Sequence, residues 1–592
     1  MTVSLTRHGA FAVVSVDHPP VNALSQAVRQ GLWDMVGNLD AQEDVTAVIL
    51  ICAGRTFIAG ADVSEFGKPG IEPVLRDLVR RIEAARKPWI AAIHGSALGG
   101  GFEIALGCRY RVALASASVG LPEVNLGLVP GAGGTVRTPR FAGIGAAVEL
   151  VTTGRPVRAP QAKQMGLIDA VIEGDLLEGS LAFAKACDFA HLPALAQDRV
   201  VDAGEPEFWI AAEAALLKRV RGEVAPLRAL ACVKAASERS FDEALAYERD
   251  TFMDLRGSRQ ASAMRHVFFC ERAAPRPVEL NGVAPRPVRT VAVIGGGLTG
   301  AGIAAACRDA GLPVVLIDKL GGVGGGTDIA DPDREAFAGV DLVIEAGTGD
   351  LNGKRAVFAE LASHCRPDAI LSTHTSTVDP QLVCDSVPHP ERCLGLHFSS
   401  PIQVRKLLEI VPADKTDPAV LAAGFALARS VNHIPVRVGF CDGLIADRLL
   451  KVLHAQAGRV VQAGASPAQM DAAMRGFGLP MDILNNRDRA QGQAFLPQQA
   501  WTARQIVDAL VLPMVNEGVL VLSAGIARRA SDIDLAAIHG FGFPRWLGGP
   551  MHWAQAEGLP DLVARLDGLA GQGLAEPASD VLRDHSQTGQ AL

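Results

Sequence analysis

The chain has 592 residues, 49% hydrophobic and 20% charged, with a formal net charge of −8 at pH 7. That length exceeds a single core and sets a prior of roughly four domains, while the hydrophobic share excludes a disordered chain. The acidic balance, without a dense Lys/Arg tract, argues against nucleic acid as a partner. Ten scattered cysteines with no C-x-x-C pair argue against a metal site or a disulfide framework, and fit a reducing cytoplasm.

In chain order, the N-terminal MTVSLTRHGAFAVVSVDHPPVNAL reads as two short strands rather than a secretory signal. Residues 1–190 mix short apolar strands (TAVILICAG, KPWIAAIHG, YRVALASASVG) with helical stretches, which predicts an α/β layered domain. Residues 191–285 turn helical and close on a proline-rich linker within APRPVELNGVAPRPVR. Residues 286–440 open a second α/β domain, and 441–592 read as helical. No apolar run reads as long enough to cross a membrane, and the terminal GQAL is not an S-K-L peroxisomal address. A soluble, cytoplasmic protein without membrane insertion is the expectation.

GSALGGGFEIALG, Gly95–Gly107, sets three glycines before a lone carboxylate, Glu103, among apolar neighbours. Glycines cost backbone entropy and a buried charge costs more, so this local choice points to a site. In RTFIAGADVSEFG, Ala59, Gly60 and Ala61 break a strand end, and SVGLPEVNLGLVPGAGGT places Glu123 in a loop rich in proline and glycine. Amides at such turns can converge on one oxygen and stabilise an enolate formed from a thioester carbonyl. Two carboxylates in a partly apolar pocket can divide the proton work, because their surroundings separate their pKa values.

AGAD, HGSALGGGFEIALGC and LPEVNLGLVPGAGGT resemble the enoyl-CoA hydratase (crotonase) superfamily across most of residues 1–190. The resemblance implies a crotonase ββα spiral, an oxyanion hole made by the N–H groups of Ala61 and Gly100, and water activated by Glu103 and Glu123. Glu123 would also protonate the α-carbon. The presence of both glutamates favours hydration over isomerisation or thioester hydrolysis.

VAVIGGGLTGAGIAAA carries G-x-G-x-x-G as Gly295, Gly297 and Gly300, after a strand and opening a helix, with Asp318 at the end of the next strand. That context predicts a Rossmann domain with pyrophosphate on the helix N-terminus and Asp318 on the ribose, preferring NAD to NADP. Downstream, DLVIEAG, DAILSTHTST, GLHFSSP and RKLLEIVP resemble the 3-hydroxyacyl-CoA dehydrogenases. The resemblance puts the catalytic histidine on His397, its partner on Glu409, a substrate-binding serine on Ser376 and a cofactor-contacting lysine on Lys354. The middle and C-terminal helices also resemble those of multifunctional β-oxidation enzymes, so that likeness covers nearly the whole chain.

The second half departs from the family. Asp447 stands where the family has asparagine, His374 opens the family's "NTSS", Ser399-Ser400 interrupts its "HFFNP", and Gly349 replaces a glutamate. Two helical segments are short, one after Asp318 and one after GFGLPM. The expected function is hydration of trans-2-enoyl-CoA followed by oxidation of the 3-hydroxyacyl-CoA with NAD, on an acyl-CoA substrate, by a monomer or small homo-oligomer. The alternative is a single crotonase activity, whether hydratase, isomerase or hydrolase of a specialised acyl-CoA, beside an impaired dehydrogenase-like module.

Overall fold

The apolar strands Val3–His8 (β1) and Phe11–Val16 (β2) fold back on each other around Gly9, whose φ of +64° suits glycine. This hairpin starts the structure, a computed structural model that describes residues 2–62, 65, 70–317, 337–347, 349–479 and 501–592. By its contacts the chain divides into two units, Met1–Ser262 and Ala263–Leu592.

In the first unit the strands are β3 (Ala47–Cys52), β4 (Trp89–Ile93), β5 (Ser96–Leu98), β6 (Tyr110–Leu114), β7 (Ser118–Gly120), β8 (Val157–Arg158) and β9 (Ala170–Ile172). They form a long sheet in the order β1-β2-β3-β4-β6-β9, parallel beyond the first hairpin, and a short sheet β5-β7-β8. Around them wind α1 (Gln26–Asp40), α2 (Leu75–Glu83), α3 (Gly100–Gly107), α4 (Gly134–Thr153), α5 (Ala159–Gln164) and α6 (Leu176–Ala186). This repeated strand-strand-helix winding is the spiral expected for residues 1–190. The helices α7 (Pro206–Arg219), α8 (Ala225–Glu238) and α9 (Phe241–Arg256) share its core through Trp209, Leu216, Leu230, Val233 and Leu255. Sequence reading sets these helices in a segment of their own. The structure folds them into the hydratase-like unit, because each presents an apolar stripe that needs cover.

The unit boundary falls inside α10 (Arg259–Ala273). In the second unit, β10 (Val291–Ile294), β11 (Val314–Ile317), β12 (Leu342–Glu345), β13 (Ile370–Thr373), β14 (Cys393–Phe398), β15 (Leu407–Pro412) and β16 (Ile434–Arg437) make one sheet in the order β11-β10-β12-β13-β14-β15-β16. β12, β13 and β14 are buried along their whole length, as parallel strands covered on both faces must be. One face packs on α11 (Leu298–Asp309) and the helix Pro418–Ser430, the other on the helices Leu351–His364 and Pro380–Cys384. This is the expected Rossmann architecture, followed by the expected C-terminal helices.

One of those helices, Ala503–Ser523, corrects the reading that no run is long enough to cross a membrane. Its 21 residues reach a mean hydropathy of 1.7 in their most apolar window, enough for a span by length and composition. Yet 78% of that window is buried inside the structure, where Leu510, Leu512, Met514 and Val515 form the centre of the helical core.

Candidate active sites

α3 begins at Gly100 without a side-chain cap, because Gly99 (φ +52°) turns the chain into it. A Cβ on Gly99 would lie 2.8 Å from Glu123 Oε1, and one on Gly100 would lie 2.6 Å from Leu75 Cδ2, with the Ala61 nitrogen 3.5 Å away. Gly99 thus makes room for a carboxylate, and Gly100 for the Leu75 side chain, with the Ala61 amide alongside. Neither the Ala61 nor the Gly100 amide meets a backbone acceptor among the described residues. Both donors can serve an incoming oxygen.

Glu103, in the first turn of α3, is 2% exposed, and its Oε1 accepts the amides of Ala132 (2.8 Å) and Gly134 (2.9 Å). Burial raises its pKa, opposed by those two amides and by the nearby Arg137. Glu123 opens a single 3₁₀ turn, Glu123–Leu126, and its Oε2 is buried with no hydrogen-bond partner among the described residues. Burial lifts its pKa well above the usual carboxylate range, and the charge of Glu103 lifts it further. Glu103 has two amides that favour its ionised form, and Glu123 Oε2 has none among the described residues. The four residues picked from the sequence, Ala61, Gly100, Glu103 and Glu123, therefore converge on one spot.

In the second unit, β14 and β15 pair antiparallel with His397 directly opposite Glu409. That register explains the twelve-residue spacing: a hairpin brings the two side chains onto one face. His397 Nδ1 and Glu409 Oε2 are 2.9 Å apart, and both residues are buried. Glu409 Oε1 accepts the amides of Ile445 (2.9 Å) and Ala446 (3.2 Å), anchoring the start of the helix Ala446–Gln462. The next residue, Asp447, sits with Oδ2 3.9 Å from His397 Nε2. Burial pushes the His397 pKa down, but the hydrogen bond and charge of Glu409, with Asp447 adding to them, leave it above the ordinary value. Ser376 lies on the loop after β13, and its carbonyl accepts the Gly443 amide (2.7 Å), which ties that loop to the same corner. His374, two residues earlier, tilts against His397 with ring centroids 5.1 Å apart. Burial, then the charge of His397, drives it down to about 3, so it is neutral at physiological pH.

The glycine turn after β10 has the close packing a dinucleotide cradle needs. At Gly295 (φ +114°) a Cβ would stand 2.9 Å from the Ala346 carbonyl, and at Gly300 it would collide with the carbonyl of Gly295. At Gly297, which precedes α11, none of the described residues lies within 4 Å of where a Cβ would be or caps the helix with a side chain. Open space before an uncapped helix start fits a pyrophosphate. Asp318 lies outside the described residues.

The family profile Enoyl-CoA hydratase/isomerase matches residues 6–189. The 3-hydroxyacyl-CoA dehydrogenase NAD binding domain matches 328–441, and the C-terminal domain of that family 443–493. The chain is 32% identical to the peroxisomal bifunctional enzyme of Danio rerio over 94% of its own length and 93% of that protein's. It is 30% identical to the Homo sapiens peroxisomal bifunctional enzyme, with the same coverages. It is also 30% identical to the Arabidopsis thaliana peroxisomal fatty acid beta-oxidation multifunctional protein MFP2, over 94% and 92%. The chain belongs to the bifunctional β-oxidation enzyme family.

Within this bifunctional enzyme, Lys354, the lysine expected to contact the cofactor, is held by a buried network. That lysine is 3% exposed and its ammonium is spent inside the protein. Nζ donates to Glu345 Oε2 (2.8 Å) and to the carbonyls of Gly347 and His374 (3.3 Å each). These bonds brace the loops after β12 and β13. Glu345 completes the knot by accepting Thr373 Oγ1 (2.9 Å) and the Gly347 amide (2.9 Å).

Sequence reasoning missed Glu248, a third buried carboxylate beside the hydratase pair. A signal was available. The buried residues of α9, namely Ala244, Leu245, Glu248, Thr251 and Leu255, follow the helical period, so Glu248 occupies a position where the pattern calls for an apolar side chain.

Proposed function

We propose that the first unit adds water across the double bond of a trans-2-enoyl-CoA and that the second oxidises the resulting 3-hydroxyacyl-CoA. The observation that carries this is the pair of unlike carboxylates: Glu103 anchored by two amides, and Glu123 with a buried oxygen that has no partner among the described residues. The thioester oxygen takes the Ala61 and Gly100 amides. Glu103 accepts a proton from the attacking water, whose oxygen bonds to C3, while Glu123 delivers its proton to C2. A proton passed between the carboxylates then restores the resting state.

In the second unit, Gly295, Gly297 and Gly300 would hold NAD, with Asp318 toward its ribose. NAD supplies the hydride acceptor. His397 Nε2 takes the 3-hydroxyl proton, Glu409 stabilises the imidazolium through Nδ1, and Ser376 positions the substrate. Our reading keeps the division 1–190, 191–285, 286–440 and 441–592, with α7–α9 completing the hydratase part. The expected assembly is a monomer or a small homo-oligomer.

The ten free thiols support a soluble protein in a reducing compartment, the cytoplasm, although the named relatives are peroxisomal. Incubating the protein with crotonyl-CoA, with and without NAD, tests the reading. Enoyl absorbance should fall in both samples, and NADH should appear only with NAD. Unchanged enoyl absorbance would refute it.

A further inference from the structure

The loop that anchors Glu103 is itself held by a second carboxylate from another element. Four consecutive amides, Ala132 to Thr135, open α4, and they alternate between two acceptors. Ala132 and Gly134 donate to Glu103 Oε1. Gly133 donates to Glu248 Oε1 (2.6 Å) and Thr135 to Glu248 Oε2 (2.8 Å), with the Thr135 hydroxyl adding a bond of 2.5 Å. α9 thus reaches the same turn as α3 from the other side. Arg137, fully buried, donates to the Ala132 carbonyl (3.1 Å) and pairs with Glu83 (2.6 Å), so its charge is already matched.

The turn has no slack. Gly133 has φ +102°, and a Cβ on Gly134 would come within 3.0 Å of Glu103 Oε1. Helix start, carboxylate and loop register are therefore one mechanical unit. A shift of the 133–135 amides moves the 132 and 134 amides with them. Burial and the charge of Glu103 lift Glu248 to about 8, a cost its three hydrogen bonds only partly offset. A surface helix would gain by an apolar residue here, yet this position carries a carboxylate.

We propose that Glu248 is a positioning residue for hydration: by holding the Gly133 and Thr135 amides it fixes the loop register that presents the Ala132 and Gly134 amides to Glu103. This rests on the assignment of Glu103 to water activation. Glu248 itself does not touch the reacting atoms.

The test uses the full chain and crotonyl-CoA hydration. Glu248→Ala should lower kcat by roughly 10²-fold, the scale of a small misplacement of a catalytic group, with KM within about threefold. Added formate, which supplies two carboxylate oxygens, should restore part of that loss. In a Glu103→Gln background, adding Glu248→Ala should lower kcat by little more, because a residue acting through Glu103 has nothing left to position. An additive loss, or kcat unchanged in Glu248→Ala, overturns the proposal. If Glu248→Ala shows no cooperative melting, Thr135→Val decides: a several-fold fall in kcat at constant KM supports the proposal, and an unchanged kcat overturns it. A fully active Glu103→Gln would overturn the underlying reading as well. An inactive Glu103→Gln beside a fully active Glu248→Ala overturns this inference alone.

Discussion

The two sites solve the same problem, placing a proton-transfer group in a dry interior, by opposite means. In the first unit carboxylates are buried with almost no cationic help, and backbone amides at glycine turns carry the load. Glu103 and Glu248 share four consecutive N–H groups, while Glu123 Oε2 has no partner among the described residues. In the second unit the proton acceptor is an imidazole paired in register with a carboxylate, and a second carboxylate, Asp447, stands near its other nitrogen. The first arrangement holds a proton on Glu123 and leaves Glu103, with its two amides, to take one. The second holds a proton on a base that must begin without one. Burial and a like charge together raise Glu123, whereas at His397 the neighbouring carboxylates outweigh burial.

The largest expected effect is on the carboxylate side of this comparison. Glu103→Gln and Glu123→Gln should each reduce hydratase turnover by about 10²-fold or more, the scale of general acid–base catalysis, with melting temperatures nearly unchanged. Steady-state rates with crotonyl-CoA check this, and a near-normal rate in either variant would break the assigned pairing.

Lys354→Met probes the brace of the second unit. It leaves Glu345 as an unpaired buried charge, and removal of one partner from such a pair costs about 3 kcal/mol or more. Denaturant unfolding of the full chain should show it as a lower midpoint in the transition of the second unit, with NADH affinity falling only as the folded fraction falls. A direct loss of affinity in fully folded protein would return Lys354 to cofactor contact.

Gly297→Val should weaken NADH binding by at least about tenfold, because the branched side chain fills the open space before α11 where a pyrophosphate must approach. Titration should also show NADH preferred to NADPH, the role expected of Asp318. Equal affinities would remove that role.

The smallest effect expected is at Asp447. His397 lies above its ordinary pKa, so the neutral imidazole that accepts the 3-hydroxyl proton grows in population as pH rises. Oxidation of 3-hydroxybutyryl-CoA should therefore increase from pH 6 to 10. Asp447→Asn removes one of the charges that raise the pKa, so its rising limb should move to lower pH and its rate at pH 7 should increase a few-fold. An unchanged profile would show that Asp447 does not act on His397.

Much of this was legible in the sequence because it follows from local geometry. The glycines at 99–101 and 295–300 mark places where backbone must approach something closely, and the spacing of His397 and Glu409 is that of a hairpin. What escaped depends on long-range packing. Glu248 reads as one charge in a charged helix until its stripe is followed, and the ion pair of Lys354 with Glu345 shows only once the buried stripe of Lys354, Phe358 and Leu361 is packed. The helix Ala503–Ser523 has the hydropathy of a membrane span, and only its packing inside a helical core separates the two. In each case the side chain was visible and its surroundings were not.

The most direct test of two independent sites in one chain is NADH formation by the Glu123→Gln variant with two substrates. The account predicts almost no NADH from crotonyl-CoA, which must first be hydrated, and a normal rate from 3-hydroxybutyryl-CoA, which need not be. NADH from crotonyl-CoA at the wild-type rate, or none from either substrate, would contradict it.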